Sequence, residues 1–207
     1  MKKNIFMSLI LFVHIQSSVY AEDCPPDQTR NPNQKIEDFA AKIAIIAEKS
    51  AGDDAKVVVE AGTTYLMAIA YTTNFNENEA NGFISKLTPI CEKNISNVKL
   101  QSLACTRLSG IEGKMAQKKQ LAGIGNAKRG YKYLKKALDL DPMNVDAIRG
   151  HADTLYQVYN QGFLARKAVE INLGLSLQDE MKMAKAGLEK ISDSDTARYR
   201  RILEIMQ

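Results

Sequence analysis

The chain has 207 residues, of which 45% are hydrophobic and 25% are charged, and its formal net charge is +4 at neutral pH. This composition is too apolar for a disordered chain, and 5 prolines and 12 glycines are too few for a fibrous one. Three cysteines are too few for a small disulfide-stapled protein, and the length suits one domain or a short array of repeats.

The first 21 residues have the three parts of a secretory signal peptide. Lys2 and Lys3 precede an apolar run from Ile5 to Ile15, and small residues stand at Val19 and Ala21. We therefore predict cleavage after Ala21 and a periplasmic or secreted protein. A retained membrane anchor is the alternative, but about eleven apolar residues span only roughly 16 Å of a core about 30 Å thick. We expect no transmembrane segment after cleavage.

Three cysteines, Cys24, Cys91 and Cys105, follow the predicted cleavage site, and an exported chain meets an oxidising environment. They allow three single pairings, each of which leaves one free thiol. We favour Cys91–Cys105, because these two are nearest in sequence and closing their loop would stabilise the fold by about 3 kcal/mol. The alternative is three buried thiols that pack as small apolar groups.

Beyond a polar, proline-rich arm at residues 22–34, apolar residues recur at helical spacing along the rest of the chain. The stripes lie over residues 36–47, 58–70, 83–87, 100–115, 131–138, 145–159, 163–173, 181–188 and 199–206. Short turns separate the stripes, and no segment shows the alternation of a strand. The predicted fold class is all-α, with about nine amphipathic helices in antiparallel pairs that form a single domain over residues 35–207.

Polar side chains mark the starts of several predicted helices. The expected N-cap residues are Asn76, Ser96, Asn144 and Ser176. The glycine-containing segment at residues 123–126 interrupts the helical pattern and is expected to form a turn. These positions set the boundaries between neighbouring helices.

The segment Ala137–Ala147, Ala-Leu-Asp-Leu-Asp-Pro-Met-Asn-Val-Asp-Ala, resembles the hinge of a tetratricopeptide repeat. Pro142 stops one helix and Asn144 caps the next, while Ala152 follows where such a repeat carries a small residue. The resemblance is best over residues 124–160. It implies helical hairpins stacked in a right-handed superhelix, and a generic helical bundle is the alternative.

The hinge together with Gly150–Tyr156 also resembles the exported, repeat-containing accessory proteins of tripartite ATP-independent periplasmic transporters. This second resemblance implies no particular site. The tetratricopeptide register implies that the first helix after the hinge lines a concave groove. The side chains that would then face a ligand are Asp146, Arg149, Asp153 and Tyr156.

Motifs for catalysis or metal binding are absent or incomplete. Signal cleavage would leave His151 as the single histidine, and no Cys-x-x-Cys pair exists, so we predict no metal site. Ser96 and Lys99 have the Ser-x-x-Lys spacing of penicillin-recognising enzymes, but the companion Lys-Thr-Gly is missing. Gly123 and Gly125 lack the third glycine of a dinucleotide-binding loop. We predict no enzymatic activity and no cofactor.

Residues 113–138 contain eight basic residues and no acidic one. Four of them share one helix face, namely Lys128, Lys132, Lys135 and Lys136. One interpretation is that this face docks an acidic partner, an anionic lipid head group or an envelope polymer. The other is a solvated face balanced by the acidic half at residues 22–112, or by the same half of another subunit. The sequence leaves both interpretations open.

These observations predict an exported, non-catalytic helical-repeat protein that binds another protein or a peptide in the cell envelope, as an adaptor, scaffold or transporter accessory. Without its signal the chain carries 26 basic and 24 acidic side chains, a balance that gives no reason to expect nucleic acid. A carrier of a small apolar ligand is the alternative function. An open polar groove would favour the first function, and a closed apolar cavity the second.

We predict that the mature protein begins at Glu22. The intact mass of exported material should equal that of residues 22–207, because the small residues at Val19 and Ala21 suit signal peptidase. Exported protein that retains Met1 would contradict the signal-peptide assignment.

Overall fold

The computed structural model describes residues 55–71, 75–93, 95–160, 162–191, 199–201 and 204. These residues form seven α-helices and no strand, which confirms the all-α prediction. The α-helices are α1 (Ala55–Tyr71), α2 (Glu77–Glu92), α3 (Val98–Lys119), α4 (Ile124–Leu140), α5 (Val145–Asn160), α6 (Phe163–Leu173) and α7 (Leu177–Leu188). A 3-10 helix, Gln120–Gly123, joins α3 to α4.

Each of the seven α-helices corresponds to one of the nine predicted apolar stripes. The number of helices in the described residues is slightly lower than the nine expected. The signal peptide, the arm and the first predicted helix at 36–47 lie outside the described residues. Of the last stripe, residues 199–201 and 204 are described as helical. Among the helices in the described ranges, none is long and apolar enough to span a membrane.

Helix α3 is the centre of the fold. It packs most extensively against α4 and also contacts α1, α2 and α5. Every residue from Ala104 to Gly113 is buried, which covers all faces of the helix for more than two turns. The sequence predicts a one-sided apolar stripe here, and α3 departs from that pattern because neighbouring helices cover its polar positions as well.

The charged side chains buried on α3 are paired with neighbouring helices. The Glu112 carboxylate, 1% exposed, accepts hydrogen bonds from Asn126 Nδ2 and Arg129 Nε of α4, both at 2.7 Å. Arg107 Nε donates to Thr63 Oγ1 of α1 at 2.7 Å. An unpaired charge at such a depth would cost several kcal/mol, so these bonds fix which helices lie beside α3.

The hinge between α4 and α5 is attached to α3 by hydrogen bonds. Ser102 Oγ donates to the Ala137 carbonyl at 2.7 Å, near the end of α4. Asn144 Nδ2 donates to Ser102 Oγ at 2.7 Å and to Thr106 Oγ1 at 3.0 Å. Its Oδ1 accepts from Ala147 N at 3.1 Å, which confirms Asn144 as the N-cap of α5.

Two further predicted N-caps are confirmed and one is wrong. The side chains of Asn76 and Ser176 accept hydrogen bonds from backbone N–H groups in the first turns of α2 and α7. Ser96 does not cap α3. Asn97 does, since its Oδ1 accepts from Leu100 N at 3.0 Å and the helix begins one residue after it.

The reversal from α3 to α4 requires a glycine. A Cβ atom on Gly123 would lie 2.3 Å from the Ala116 carbonyl oxygen, a distance that real Cβ atoms do not adopt. The helices then run side by side, and a Cβ on Gly130 would lie 3.2 Å from Ser109 O. The interpretation of Gly123 as a turn glycine is confirmed. The turn predicted over residues 123–126 is wrong for Gly125, which lies in the first turn of α4.

Cys91 and Cys105 lie at disulfide distance, as predicted. Their Sγ atoms are 2.08 Å apart and both residues are fully buried between α2 and α3. Gln101 Nε2 donates to the carbonyls of Cys91 at 2.9 Å and Lys93 at 2.6 Å. These bonds satisfy acceptors that the end of α2 would otherwise leave free. Cys24 lies outside the described residues.

We predict one reactive thiol per unfolded chain, because one pair leaves the third cysteine free. Replacing both Cys91 and Cys105 by Ala should lower the free energy of unfolding by about 3 kcal/mol, the value for closing a loop of about 15 residues. Thiol counting in denaturant and chemical denaturation measure the two effects, with Cys24→Ala as the matched control. Three reactive thiols, or a double variant as stable as the parent, would contradict the disulfide.

Candidate functional site

The four side chains predicted to line a concave groove lie on α5, but the structure does not bring them together on an open surface. Arg149 and Asp153 are 7% and 4% exposed. Asp146 Oδ2 lies 2.8 Å from Arg107 Nη2, and Tyr156 is partly buried against the hydrophobic core. This face of α5 is turned into the fold, so the groove prediction is wrong for Arg149 and Asp153.

Asp153 is a buried carboxyl with an altered affinity for protons. The Tyr199 hydroxyl donates to its Oδ2 at 3.3 Å. Burial raises the pKa of Asp153 to about 7, although the Tyr199 hydrogen bond and the charge of Arg149 both act to lower it. Asp153 therefore titrates in the neutral range, inside the protein.

A cluster of polar side chains joins α4, α5 and α7 around Glu180. His151 Nε2 lies 2.9 Å from Glu180 Oε2, and Lys135 Nζ lies 3.1 Å from the same oxygen. The Tyr131 hydroxyl is 3.4 Å from His151 Nε2. Burial acts to raise the pKa of Glu180, but hydrogen bonds from His151, Tyr131 and Lys135 outweigh it and lower the pKa to about 2.

The Glu180 cluster has a structural role, because its hydrogen bonds link α4, α5 and α7. An ionised carboxylate only accepts hydrogen bonds, so we assign the hydrogen of the His151 ring to Nε2. His151 is 2% exposed, which leaves no access for a substrate. Within the described ranges, no group of three or more His, Cys, Asp or Glu side chains could hold a metal ion.

The predicted basic face of α4 is divided between solvent and the protein. Lys128 and Lys132 are exposed and Lys136 is partly exposed. Lys135 is engaged by Glu180, which belongs to the carboxy-terminal half of the chain instead of the acidic amino-terminal half. Only three of the four lysines are therefore left to bind an anionic partner.

A cleft about 590 Å³ in volume lies along α6 and α7, where the end of α5 meets them. We call it the α6–α7 cleft. Its lining residues are Tyr159, Phe163, Arg166, Lys167, Glu170, Leu177, Gln178, Met181, Lys182 and Lys185. The cleft is open to solvent, and its lining surface is mainly apolar.

The chain reversal between α6 and α7 forms this cleft. Gly174 ends α6 in the left-handed conformation with φ 66°, which glycine adopts without a steric penalty. Leu175 N donates to the Glu170 carbonyl at 3.1 Å, and Leu177 N donates to Glu170 Oε1 at 3.1 Å. These bonds fix the turn between the two helices, and side chains of both helices line the cleft.

The lining side chains carry an excess of positive charge. Four of them are cations and one, Glu170, is an acid. Glu170 is already engaged by Lys167 Nζ at 2.7 Å and by Leu177 N, contacts that lower its pKa. The Arg166 guanidinium lies over the Tyr159 ring at 4.7 Å from its centroid, a favourable contact that adds no negative charge.

Sequence reasoning missed this cleft. Its cations are divided between residues 166–167 and 182–185, so no charge run appears along the chain. One signal was present, since Phe163 stands in an apolar stripe yet is 65% exposed in the structure. A stripe explains which residues share a helix face, but not whether another helix covers that face.

Comparison with protein families, curated proteins and solved structures finds no match to this chain. Any functional assignment therefore depends on the residues and their geometry.

We predict that Asp153→Asn raises the free energy of unfolding at pH 8 by up to a few kcal/mol and has little effect near pH 4. A folded-state pKa of about 7 lies above the unfolded value near 3.8, so the native state binds the proton more tightly and wild-type stability falls between these values as the pH rises. The asparagine of the variant cannot ionise, so its free energy of unfolding does not fall in this way as the pH rises. Chemical denaturation from pH 4 to 8 measures it, and a less stable variant at pH 8 would show that ionised Asp153 is favourable.

Proposed function

We propose that this protein is an exported, non-catalytic binding protein that holds a segment of another protein in the α6–α7 cleft. The observation that carries the proposal is an open cleft with Phe163 65% exposed at its edge. Exposed aromatic side chains beside a concave surface are typical of binding sites, where a partner covers them and removes them from water. The export part of the proposal depends on the signal-like residues 1–21.

A tetratricopeptide-like architecture is part of the same proposal. The hinge that carries the resemblance lies between α4 and α5, where Asp141 ends one helix and Asn144 caps the next. The two helices, Ile124–Leu140 and Val145–Asn160, cover the residues that carry the resemblance. If further repeats stack around this hairpin, the cleft lies at the carboxy-terminal end of the array.

A carrier of small ligands is the second candidate. The cleft volume of about 590 Å³ lies within the range of about 300–1,000 Å³ found for small-molecule sites. Such sites enclose most of the ligand, however, and this cleft is open to solvent with cations around it. The open form favours a protein segment over an enclosed apolar molecule.

A photoreactive amino acid at Gln178, in the cleft, tests the proposal in cells that export the full chain. We expect ultraviolet light to produce a larger, protease-sensitive adduct, because a bound protein segment would lie within reach of this position. The same amino acid at Lys128 on α4 is the matched control. Mass spectrometry of the crosslinked peptides identifies the attached molecule.

The possible adducts distinguish the candidate functions. A polypeptide attached at position 178 and not at 128 supports a protein-binding cleft. An attached mass of a few hundred daltons at position 178 would support the small-ligand carrier instead. A polypeptide attached only at position 128 would place the docking site on the basic face of α4 and contradict the proposal.

A further inference from the structure

We infer that the α6–α7 cleft recognises an acidic amphipathic peptide, a segment that combines carboxylates with at least one large apolar side chain. This inference rests on the proposed function and adds the chemistry of the partner. It follows from the charge of the lining side chains, from their pairing and from the apolar surface between them.

The cations that line the α6–α7 cleft outnumber its acids. In the part of the chain that the structure describes, Arg166 and Lys185 have no carboxylate partner, and the single acid of the lining, Glu170, is engaged by Lys167. Lys182 lies 3.6 Å from Asp179, but both side chains are about 70% exposed, so this pair is weak. The lining therefore presents net positive charge, and like charges this close are stabilised by an anionic partner.

The Arg166 guanidinium is oriented by a contact within the fold. Arg166 lies over the ring of Tyr159, which orients the guanidinium plane and reduces its freedom before any ligand arrives. A planar guanidinium can bind a carboxylate through two parallel hydrogen bonds. Its Nε is buried and has no hydrogen-bond partner among the described residues, so a carboxylate in the cleft would be bound through the two Nη atoms.

The apolar lining of the cleft indicates that the partner has an apolar part. Phe163 is 65% exposed, and the cleft between the cations is lined mainly by apolar surface. A simple polyanion would leave this apolar surface exposed to water, whereas a peptide with an apolar side chain between its carboxylates would cover it. An anionic membrane requires a flat or convex face that can lie in the headgroup layer, and a concave cleft does not supply one.

The experiment selects ligands for the purified mature protein from a library of random 12-residue peptides. We expect the recovered peptides to be enriched in Asp and Glu together with Leu, Ile, Phe or Trp. The best peptide is then measured by calorimetry against two triple variants. In the cleft variant Arg166, Lys182 and Lys185 become Gln, and in the control variant Lys128, Lys132 and Lys136 of α4 become Gln.

We expect the cleft variant to bind the peptide about tenfold more weakly, since each exposed charge pair contributes a factor of a few. Raising the salt concentration should weaken the wild-type complex and have less effect on the cleft variant. The α4 variant should bind as the wild type does. Four of the six substituted side chains are exposed, Arg166 and Lys136 are partly exposed, and thermal unfolding confirms that each variant is folded.

Each other outcome overturns a stated part of the inference. Recovered peptides without acidic residues would overturn the acidic specificity and leave the proposed function intact. If no peptide is recovered above background, the proposed function itself fails. A loss of affinity confined to the α4 variant would move the site to the basic face. Binding to phosphatidylglycerol vesicles that needs the cleft cations, without binding to acidic peptides, would replace the peptide with a membrane.

Discussion

A helix buried on every side must find partners inside the protein for each of its polar side chains, and this constraint determines how the other helices surround α3. Burial of an unpaired polar group costs about 1–3 kcal/mol, and burial of an unpaired charge costs more. Glu112 and Arg107 are buried on α3 and paired with side chains of α4 and α1. The polar side chains of α3 thus select its neighbours, while the apolar ones supply most of the stabilisation.

The position of the candidate site follows from this arrangement. Contacts with α3 are made by α1, α2, α4 and α5, and the candidate site lies between helices outside that layer. Helix α7 is tied to α4 and α5 by the ionised carboxylate of Glu180, which accepts from His151 and Lys135. Among the described side chains of α6, none forms an ion pair with α4 or α5, and α6 packs against α5 less extensively than α7 does. Side chains of α6 are thereby left to line the α6–α7 cleft.

The sequence predicts the fold class, most helix positions and the Cys91–Cys105 pair, because these depend on local periodicity, capping chemistry and loop length. It does not predict which polar residues are buried. Ser102 and Glu112 look like solvent-facing positions along the chain, and only the three-dimensional neighbourhood shows that other helices cover them. For the same reason the tetratricopeptide register places Arg149 and Asp153 in an open groove, whereas the structure buries both. The cleft cations come together only after the reversal at Gly174.

The hydrogen bonds of Asn144 make the hinge selective for asparagine over aspartate, a distinction that the shape of the side chain alone would not give. Asparagine and aspartate have nearly the same shape and cap helices about equally well. Here, however, Nδ2 donates to the hydroxyl oxygens of Ser102 and Thr106, whose own hydrogens already go to the carbonyls of Ala137 and Ser102. An aspartate would retain the bond from Ala147 N but would place a carboxylate oxygen against oxygen lone pairs. The hinge therefore favours asparagine over aspartate, because only the amide group supplies the hydrogen atoms that the two hydroxyl oxygens accept.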